Sequence, residues 1–198
     1  MGTMPTDPED AAAAKAEARA RARASRRAGP PADPEALASA AVKAIAALPG
    51  EARVTAYVSY GTEPATGPLL AALAGAGVEV LIPRVRGEDL EWCGADESRA
   101  PSAMGIEEPT GPTRALLPLR AMLVPALAAS PRGDRLGKGG GFYDRTIAAL
   151  RASGQAPTVI AVLRDEDVWA DVPTQGHDER VDAILTPTRL IDCRAADV

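Results

Sequence analysis

The sequence predicts a single three-layer α/β/α domain with a mostly parallel sheet and a basic helix near its N-terminus. Short apolar runs rich in β-branched residues alternate with segments of high helical propensity. The length of 198 residues suits one domain, and a hydrophobic content of 46% is enough for a core. We therefore expect one α/β domain over residues 11–198. Residues 1–10, rich in proline and acidic residues, are expected to form a flexible leader.

Two helices are expected first. The run of alanine and arginine at residues 11–28 favours a helix, which Gly29 and the two prolines after it end. Asp33 is a favourable N-cap, and Pro34 suits the first helical position, so a second helix is expected to run to about Leu48.

A strand–helix–strand unit follows. The segment VTAYVSY at residues 54–60 predicts a strand that Gly61 ends, and VEVLIP at residues 78–83 predicts the next one. Thr66 is placed to cap the helix between them, which is expected to end near Ala76. This spacing is typical of a βαβ unit with a right-handed crossover.

The second half predicts further strands around a glycine-rich loop. Residues 84–117 are rich in turn formers, with short extended pieces at residues 90–92 and around Ile106. The loop covers residues 133–141 and leads into a helix over residues 143–151. The remaining strands are expected at residues 121–125, 158–163 and 183–186.

Composition excludes several classes of protein. No apolar run approaches the roughly 20 residues that span a bilayer, and the first residues lack the basic and apolar pattern of a signal peptide. Cys93 and Cys193 are the two cysteines, too few for a disulfide scaffold and without the spacing of a zinc site. A globular protein of the cytoplasm is expected.

The net charge of −5 conceals a basic segment. Residues 15–27 hold six basic residues and one acidic residue, so an acidic body carries a local cationic stretch. Lys15 and Arg19 lie four apart on one helix face, where together they could reach a phosphate. A solvated helix that only aids solubility is the alternative from charge alone.

The most informative segment is the glycine-rich loop. It follows an apolar strand and opens a helix, so its backbone N–H groups can approach phosphate oxygens. Arg135 and Lys138 add cations, and the carboxylate of Asp144 could hold a Mg²⁺ ion that bridges phosphates. Neither the P-loop spacing nor the dinucleotide-binding fingerprint is present. The loop therefore predicts an anion site of another kind.

Several ordered motifs resemble the 5-formyltetrahydrofolate cyclo-ligase family. The loop sequence RLGKGGGFYDR at residues 135–145 is the most specific of them. The others are KAEAR at 15–19, YGTEPAT at 60–66, IPR at 82–84, GIEEP at 105–109, VPAL at 124–127, VP at 172–173 and HDERVD at 177–182. Three positions depart from the pattern: Ala65 replaces an acidic residue, Gly140 a second cation and Phe142 a tyrosine.

The resemblance implies conversion of 5-formyltetrahydrofolate to 5,10-methenyltetrahydrofolate, with ATP as co-substrate and Mg²⁺ as metal. It implies phosphorylation of the formyl oxygen, attack by N10 and loss of phosphate, a reaction that needs positioning and charge stabilisation. The expected partners are the small molecules folate and ATP, and neither nucleic acid nor a membrane is expected. The protein is expected to be a monomer.

The resemblance also assigns residues. Lys138 and Arg135 are the expected catalytic cations, and Asp144 and Asp178 the expected metal ligands. The expected substrate-binding residues are Tyr60, Glu63, Arg84, Phe142 and Tyr143. The expected ATP-binding residues are Lys15, Arg19, Arg135, Leu136, Gly137, Lys138, Gly139, Gly140, Gly141, Phe142 and Tyr143.

Other interpretations stay open at this point. A sugar-phosphate isomerase or CoA-transferase would suit a similar fold, and a binder of nucleic acid or acidic protein would use residues 15–27. A catalytically idle relative that binds folate is a further alternative. At single residues, Asp144 and Asp178 could serve as helix-start or turn acids, and Arg84 as an ion-pair partner.

Overall fold

The computed structural model describes residues 8–102, 105–155 and 157–197. The described α-helices are α1 (Pro8–Ala28), α2 (Pro34–Ala46), α3 (Gly67–Gly75) and α4 (Phe142–Ala152). The strands are β1 (Arg53–Thr55), β2 (Glu79–Arg86), β3 (Asp89–Gly94), β4 (Arg99–Pro101), β5 (Glu107–Pro109), β6 (Ala121–Pro125), β7 (Ala128–Ala129), β8 (Arg135–Leu136), β9 (Thr158–Val162), β10 (Ala183–Leu185) and β11 (Leu190–Asp192). Short 3₁₀ turns cover Asp165–Asp167 and Arg194–Asp197.

A seven-stranded sheet organises the molecule, in the order β11-β10-β9-β6-β1-β2-β3. The five inner strands run parallel, and β3 and β11 pair antiparallel at the two edges. The chain moves from β1 to β2 on one side and from β6 to β9 on the other, so the winding reverses between β1 and β6. Such a reversal leaves a crevice at the carboxyl ends of the two strands.

Two apolar cores on opposite faces of the sheet give three layers. Val80 and Ile82 pack with α2 and α3, while Leu81 between them packs with α4 through Ile147 and Leu150. Neighbouring residues of a strand point to opposite faces, so α2 and α3 cover one face and α4 covers the other. The predicted three-layer α/β class with a mostly parallel sheet is confirmed.

The basic helix α1 is fixed to this body by a small apolar contact and a buried ion network. Ala18 and Ala22 pack against a cluster that includes Leu136 of β8. Nearer its C-terminal end, Arg26 is almost fully buried and donates from Nε to Asp167 (2.9 Å) and from Nη2 to the carbonyl of Ala126 (2.7 Å). Both apolar packing and buried hydrogen-bonded ion pairs therefore fix α1 to the rest of the domain.

The end of β1 differs from the sequence prediction for an identifiable reason. The strand expected over residues 54–60 ends at Thr55, because the Thr66 hydroxyl donates to the carbonyl of Tyr57 (2.7 Å) and draws that segment into a loop. Thr66 therefore does not cap α3 with its side chain, as had been expected. Asp33 does cap α2, accepting from the amides of Glu35 and Ala36.

The segment expected to be turn-rich holds a hairpin. Strands β2 and β3 pair antiparallel across six residue pairs, around the turn at Gly87 (φ 60°). This hairpin was not predicted from the sequence, because charged residues interrupt the apolar pattern of the strands. In the structure Arg84 lies opposite Glu91 and forms an ion pair with it (2.8 Å).

Helix α1 starts at Pro8, inside the stretch expected to be a leader. Residues 1–7 of that stretch lie outside the described residues. None of the described helices is long and apolar enough to cross a membrane.

Candidate active site

A cleft of about 600 Å³ lies at the reversal point of the sheet. The segment that follows β1 and the last residue of β6 form part of its wall, through Tyr57, Tyr60 and Pro125. The glycine-rich loop and the start of α4 form another part, and Lys15 and Arg19 enter from α1. Elements far apart in sequence thus meet at the edge where parallel α/β sheets bind ligands.

The glycine-rich loop brings backbone close to the cleft. Gly139 (φ 111°) and Gly141 (φ 67°) have left-handed backbone that strains other residues, and Gly141 is the N-cap of α4. Arg19 lies against Gly139, and its Nε donates to the carbonyl of Gly137 (3.0 Å). The first amides of α4 lack helical acceptors and carry the positive end of the helix dipole, a favourable setting for an anion.

Three cations of the cleft each pair with a carboxylate. These pairs are Lys15 Nζ with Asp178 Oδ1 (2.5 Å), Arg135 Nη2 with Asp144 Oδ1 (2.6 Å) and Lys138 Nζ with Glu63 Oε1 (2.8 Å). All six residues line the cleft. The three cations therefore border a space that can take an anion. In the free protein their charges are neutralised by the three carboxylates.

Glu63 is held in a defined orientation. Its Oε2 accepts from the amide of Tyr60 (2.7 Å), while its other oxygen meets Lys138. The Glu63 side chain is 5% exposed, and the Lys138 side chain is 43% exposed. Lys138 also lies over the Tyr60 ring, 5.3 Å from its centroid, where a cation is attracted to the aromatic face.

Two buried polar atoms at the cleft lack hydrogen-bond partners among the described residues, Tyr57 Oη and Arg135 Nε. Both residues line the cleft, and a buried polar group without a partner costs about 1–3 kcal/mol. Arg135 was expected here from the loop motif, whereas Tyr57 was assigned only to a strand. The sequence signal for Tyr57 was weak, because a tyrosine in an apolar run equally suits a core.

Burial controls protonation at the two inner tyrosines. It raises the pKa of Tyr57 well above 10.0, and the nearby charge of Glu63 adds to the shift. Burial likewise raises the pKa of Tyr143, with a further contribution from Glu63. Elsewhere in the fold, burial raises the pKa of the Cys193 thiol from 9.0 to about 11. All three groups therefore stay protonated where their unfolded counterparts begin to ionise.

These shifts predict a loss of stability in alkali. The unfolded chain releases protons from pH 9–10 upward while the folded chain keeps them, so the free energy of unfolding decreases as pH rises. Thermal unfolding between pH 8 and pH 11 measures the effect. Tyr57→Phe is expected to flatten the decrease by up to about 1.4 kcal/mol per pH unit. Tyr60→Phe at the exposed cleft rim is the control, and an equal change in both variants would contradict the assignment.

Most residues expected at the site line this cleft. They are Lys15, Arg19, Tyr60, Glu63, Arg135, Gly137, Lys138, Gly139, Gly140, Gly141, Phe142, Tyr143, Asp144 and Asp178. The structure does not bring Leu136 or Arg84 into it. Leu136 is fully buried against α1, and the Arg84 guanidinium binds Glu91 and the carbonyls of Pro109 and Gly111. Arg84 thus ties β2 to β3 and β5, the alternative that its sequence position left open.

The cleft also contains residues that sequence reasoning did not select. They are Tyr57, Val58, Pro83, Val85, Leu90, Ile106, Glu107, Glu108, Pro125, Gln175 and His177. Most are apolar or come from the segment between β2 and β6. Several lie within the family motifs, but their residue types alone do not indicate contact with a ligand. These are Pro83, Ile106, Glu107, Glu108, Pro125 and His177. The apolar residues of the cleft give it an apolar lining in addition to its charged loop, typical of a site for a ring system that carries polar groups.

The two carboxylates expected to hold Mg²⁺ do not fit a metal site formed by protein alone. Asp144 is bound by Arg135 and by the amide of Glu179, and both Asp178 oxygens face Lys15. Within residues 8–102, 105–155 and 157–197, no group of three or more His, Cys, Asp or Glu side chains is placed to hold a metal. Any Mg²⁺ at this cleft would need most of its ligands from elsewhere, and nucleotide phosphates supply such oxygens.

Comparison with known proteins gives consistent matches. Residues 11–187 match the model of the 5-formyltetrahydrofolate cyclo-ligase family. A 5-formyltetrahydrofolate cyclo-ligase of Mycolicibacterium smegmatis is 37% identical over 148 residues, which cover 70% of this chain and 75% of the relative. The protein of that name from Escherichia coli K12 is 29% identical over 69% of this chain and 79% of its own length.

Solved structures show the same fold. The 5,10-methenyltetrahydrofolate synthetase of Aquifex aeolicus superposes with a TM-score of 0.71 at 22% identity, over 91% of this chain and 93% of its own. The corresponding protein of Mycoplasma pneumoniae gives a TM-score of 0.64 at 18% identity, over 87% of this chain and 98% of its own.

Proposed function

This chain belongs to the 5-formyltetrahydrofolate cyclo-ligase family, and on that premise we propose that its cleft converts 5-formyltetrahydrofolate to 5,10-methenyltetrahydrofolate at the expense of ATP. The resemblance drawn from the sequence motifs is confirmed at the level of the family. One observation carries the proposal: four cations, a glycine-rich helix start and an oriented carboxylate meet in one cleft. The match over residues 11–187 also supports our proposal that one catalytic domain makes up nearly all of the chain.

The ATP phosphates would lie along the glycine-rich loop. The residues proposed to bind them are the side chains of Lys15, Arg19, Arg135 and Lys138, together with backbone amides of residues 137–143. Arg135 suits the developing charge best, because it is almost fully buried and electrostatic interactions strengthen where water is excluded. Its unpartnered Nε adds a donor that the free protein leaves unused.

The folate ring would occupy the opposite wall. Glu63 would accept hydrogen bonds from the N–H groups of the pterin, and the hydrogen bond from the Tyr60 amide supports this role by fixing the orientation of the carboxylate. Phe142 and Tyr143 at the start of α4 supply aromatic faces, and Tyr60 borders the same space. The reacting formyl group would then lie between the carboxylate proposed to bind the ring and the cations proposed to bind the phosphates.

The chemistry then follows from positioning. The formyl oxygen attacks the γ-phosphorus, the bond to the bridging oxygen breaks, and ADP leaves with that electron pair. N10 attacks the activated formyl carbon and loses its proton to solvent, and the carbon–oxygen bond breaks to release inorganic phosphate. The chain supplies no nucleophile in this scheme, and its cations stabilise phosphoryl charge in both steps. Magnesium enters as the companion of ATP and adds charge neutralisation when bound.

The proposal is tested by the absorbance of methenyltetrahydrofolate. Purified protein is mixed with 5-formyltetrahydrofolate and Mg²⁺, with and without ATP. Growth of the product band only with ATP is the expected result. Absence of product from folded protein that still binds either ligand would instead identify a catalytically idle relative, for which Ala65 and Gly140 are the departures to restore first.

A further inference from the structure

We propose that the ion pair between Glu63 and Lys138 couples the two ligands of the cleft. Nucleotide phosphates draw Lys138 away from Glu63, and the freed carboxylate then binds the folate ring. The inference rests on the proposed function, because it takes phosphates as the partner of Lys138 and the pterin as the partner of Glu63.

The pair joins two segments that serve different ligands. Lys138 lies in the loop between β8 and α4, whereas Glu63 lies in the loop that follows β1. Their charged atoms are 2.8 Å apart. Because one partner belongs to the proposed phosphate wall and the other to the folate wall, the contact links the two walls in the free protein.

Lys138 is the partner free to move. Its side chain is half-exposed, and it is flanked by Gly137 and Gly139 in a loop with left-handed backbone. Glu63 is buried, and the Tyr60 amide holds its second oxygen at 2.7 Å. A lysine can swing to a phosphate on its flexible stem at little cost, whereas Glu63 stays where the ring must dock.

Pairing with Lys138 and binding of the pterin compete for Glu63. The ammonium group presents only N–H donors and occupies the approach to Oε1. The pterin edge that a carboxylate recognises also presents N–H donors, so the two groups cannot share that approach without donors facing donors. Removal of the ammonium leaves a buried carboxylate without its counter-charge. Because this costs free energy, the binding of new N–H donors to Glu63 becomes more favourable.

The sign of the coupling follows. A nucleotide that takes Lys138 tightens folate binding, and folate that takes Glu63 tightens nucleotide binding by the same factor, since linkage is reciprocal. Couplings of this kind are typically about 5- to 150-fold in affinity. The pairs of Lys15 with Asp178 and of Arg135 with Asp144 do not involve the proposed folate carboxylate, so they lack this effect.

Calorimetric titration tests the coupling without turnover. The ligand is 5-formyltetrahydrofolate, titrated with and without a non-hydrolysable ATP analogue and Mg²⁺. Wild-type protein is expected to bind folate about tenfold more tightly with the analogue. Lys138→Met is expected to bind folate in the absence of nucleotide as tightly as the saturated wild type, with no further gain from the analogue.

Lys15→Met is the matched control, since it removes another proposed phosphate cation but leaves the Glu63 pair intact. It is expected to weaken nucleotide binding and to retain the coupling factor. Glu63→Gln gives the reciprocal readout: nucleotide binds more tightly in the absence of folate.

Two outcomes would contradict the coupling without contradicting the proposed function. In the first, the ATP analogue does not change the folate affinity of wild-type protein. In the second, Lys138→Met keeps the wild-type coupling factor. If folded wild-type protein binds neither ligand, the proposed function fails and the coupling falls with it.

Discussion

Arg135→Met is expected to lower kcat of the ATP-dependent cyclisation by about a hundredfold or more. Arg135 is a nearly buried cation within the glycine-rich loop, and its Nη2 pairs with Asp144 at 2.6 Å. Loss of the guanidinium removes charge where phosphoryl transfer develops it, and it leaves the Asp144 carboxylate to repel phosphate. Steady-state kinetics of product formation measures the effect.

Arg132→Met is the matched control for this substitution. Arg132 is half-exposed, pairs with Asp171 and does not line the cleft. It is expected to leave kcat unchanged, and circular dichroism confirms that both variants fold. A folded Arg135→Met protein with wild-type kcat would contradict the role given to this residue.

Asp167→Ala is expected to lower the free energy of unfolding by about 3–5 kcal/mol. Asp167 is fully buried and accepts hydrogen bonds from Arg26 of α1 (2.9 Å) and from Arg164 (2.9 and 3.0 Å). Without it, two buried guanidinium groups lose their counter-charge. Denaturant titration measures the loss, and a melting temperature lower by roughly 10 °C is the corresponding thermal result.

The exposed Asp171 provides the comparison. Its side chain is 82% exposed and pairs with Arg132 at 2.6 Å, and exposed pairs contribute little to stability. Asp171→Ala is therefore expected to unfold at the wild-type midpoint. Equal midpoints for the Asp167 and Asp171 variants would show that the buried network does not hold α1, the helix that carries Lys15 and Arg19.

The glycine-rich loop could be recognised from sequence because its information is local. Glycines between an apolar strand and a helix, with Arg135 and Lys138 among them, predict an anion site within eleven residues. The same holds for the α2 cap, where Asp33 and Pro34 are adjacent. The layered fold was predictable too, because alternation of strand and helix patterns leaves few architectures.

The partners of the site cations could not be predicted in this way. Lys15 and Asp178 meet across 163 positions of sequence, and no local pattern indicates which carboxylate a lysine will find. The end of β1 could not be predicted for the same reason, because it depends on the hydrogen bond that the Thr66 hydroxyl donates to the carbonyl of Tyr57, nine residues away. Contacts of this kind depend on where the sheet brings segments together, and they decide how the free site is neutralised.

The path of the formyl oxygen tests the central claim most directly. 5-Formyltetrahydrofolate labelled with ¹⁸O in the formyl group is converted in unlabelled water with ATP, and the inorganic phosphate is analysed by mass spectrometry. Direct phosphorylation of that oxygen predicts one ¹⁸O atom in each phosphate released. Unlabelled phosphate from a reaction that forms methenyltetrahydrofolate would contradict phosphoryl transfer to the formyl oxygen in this cleft.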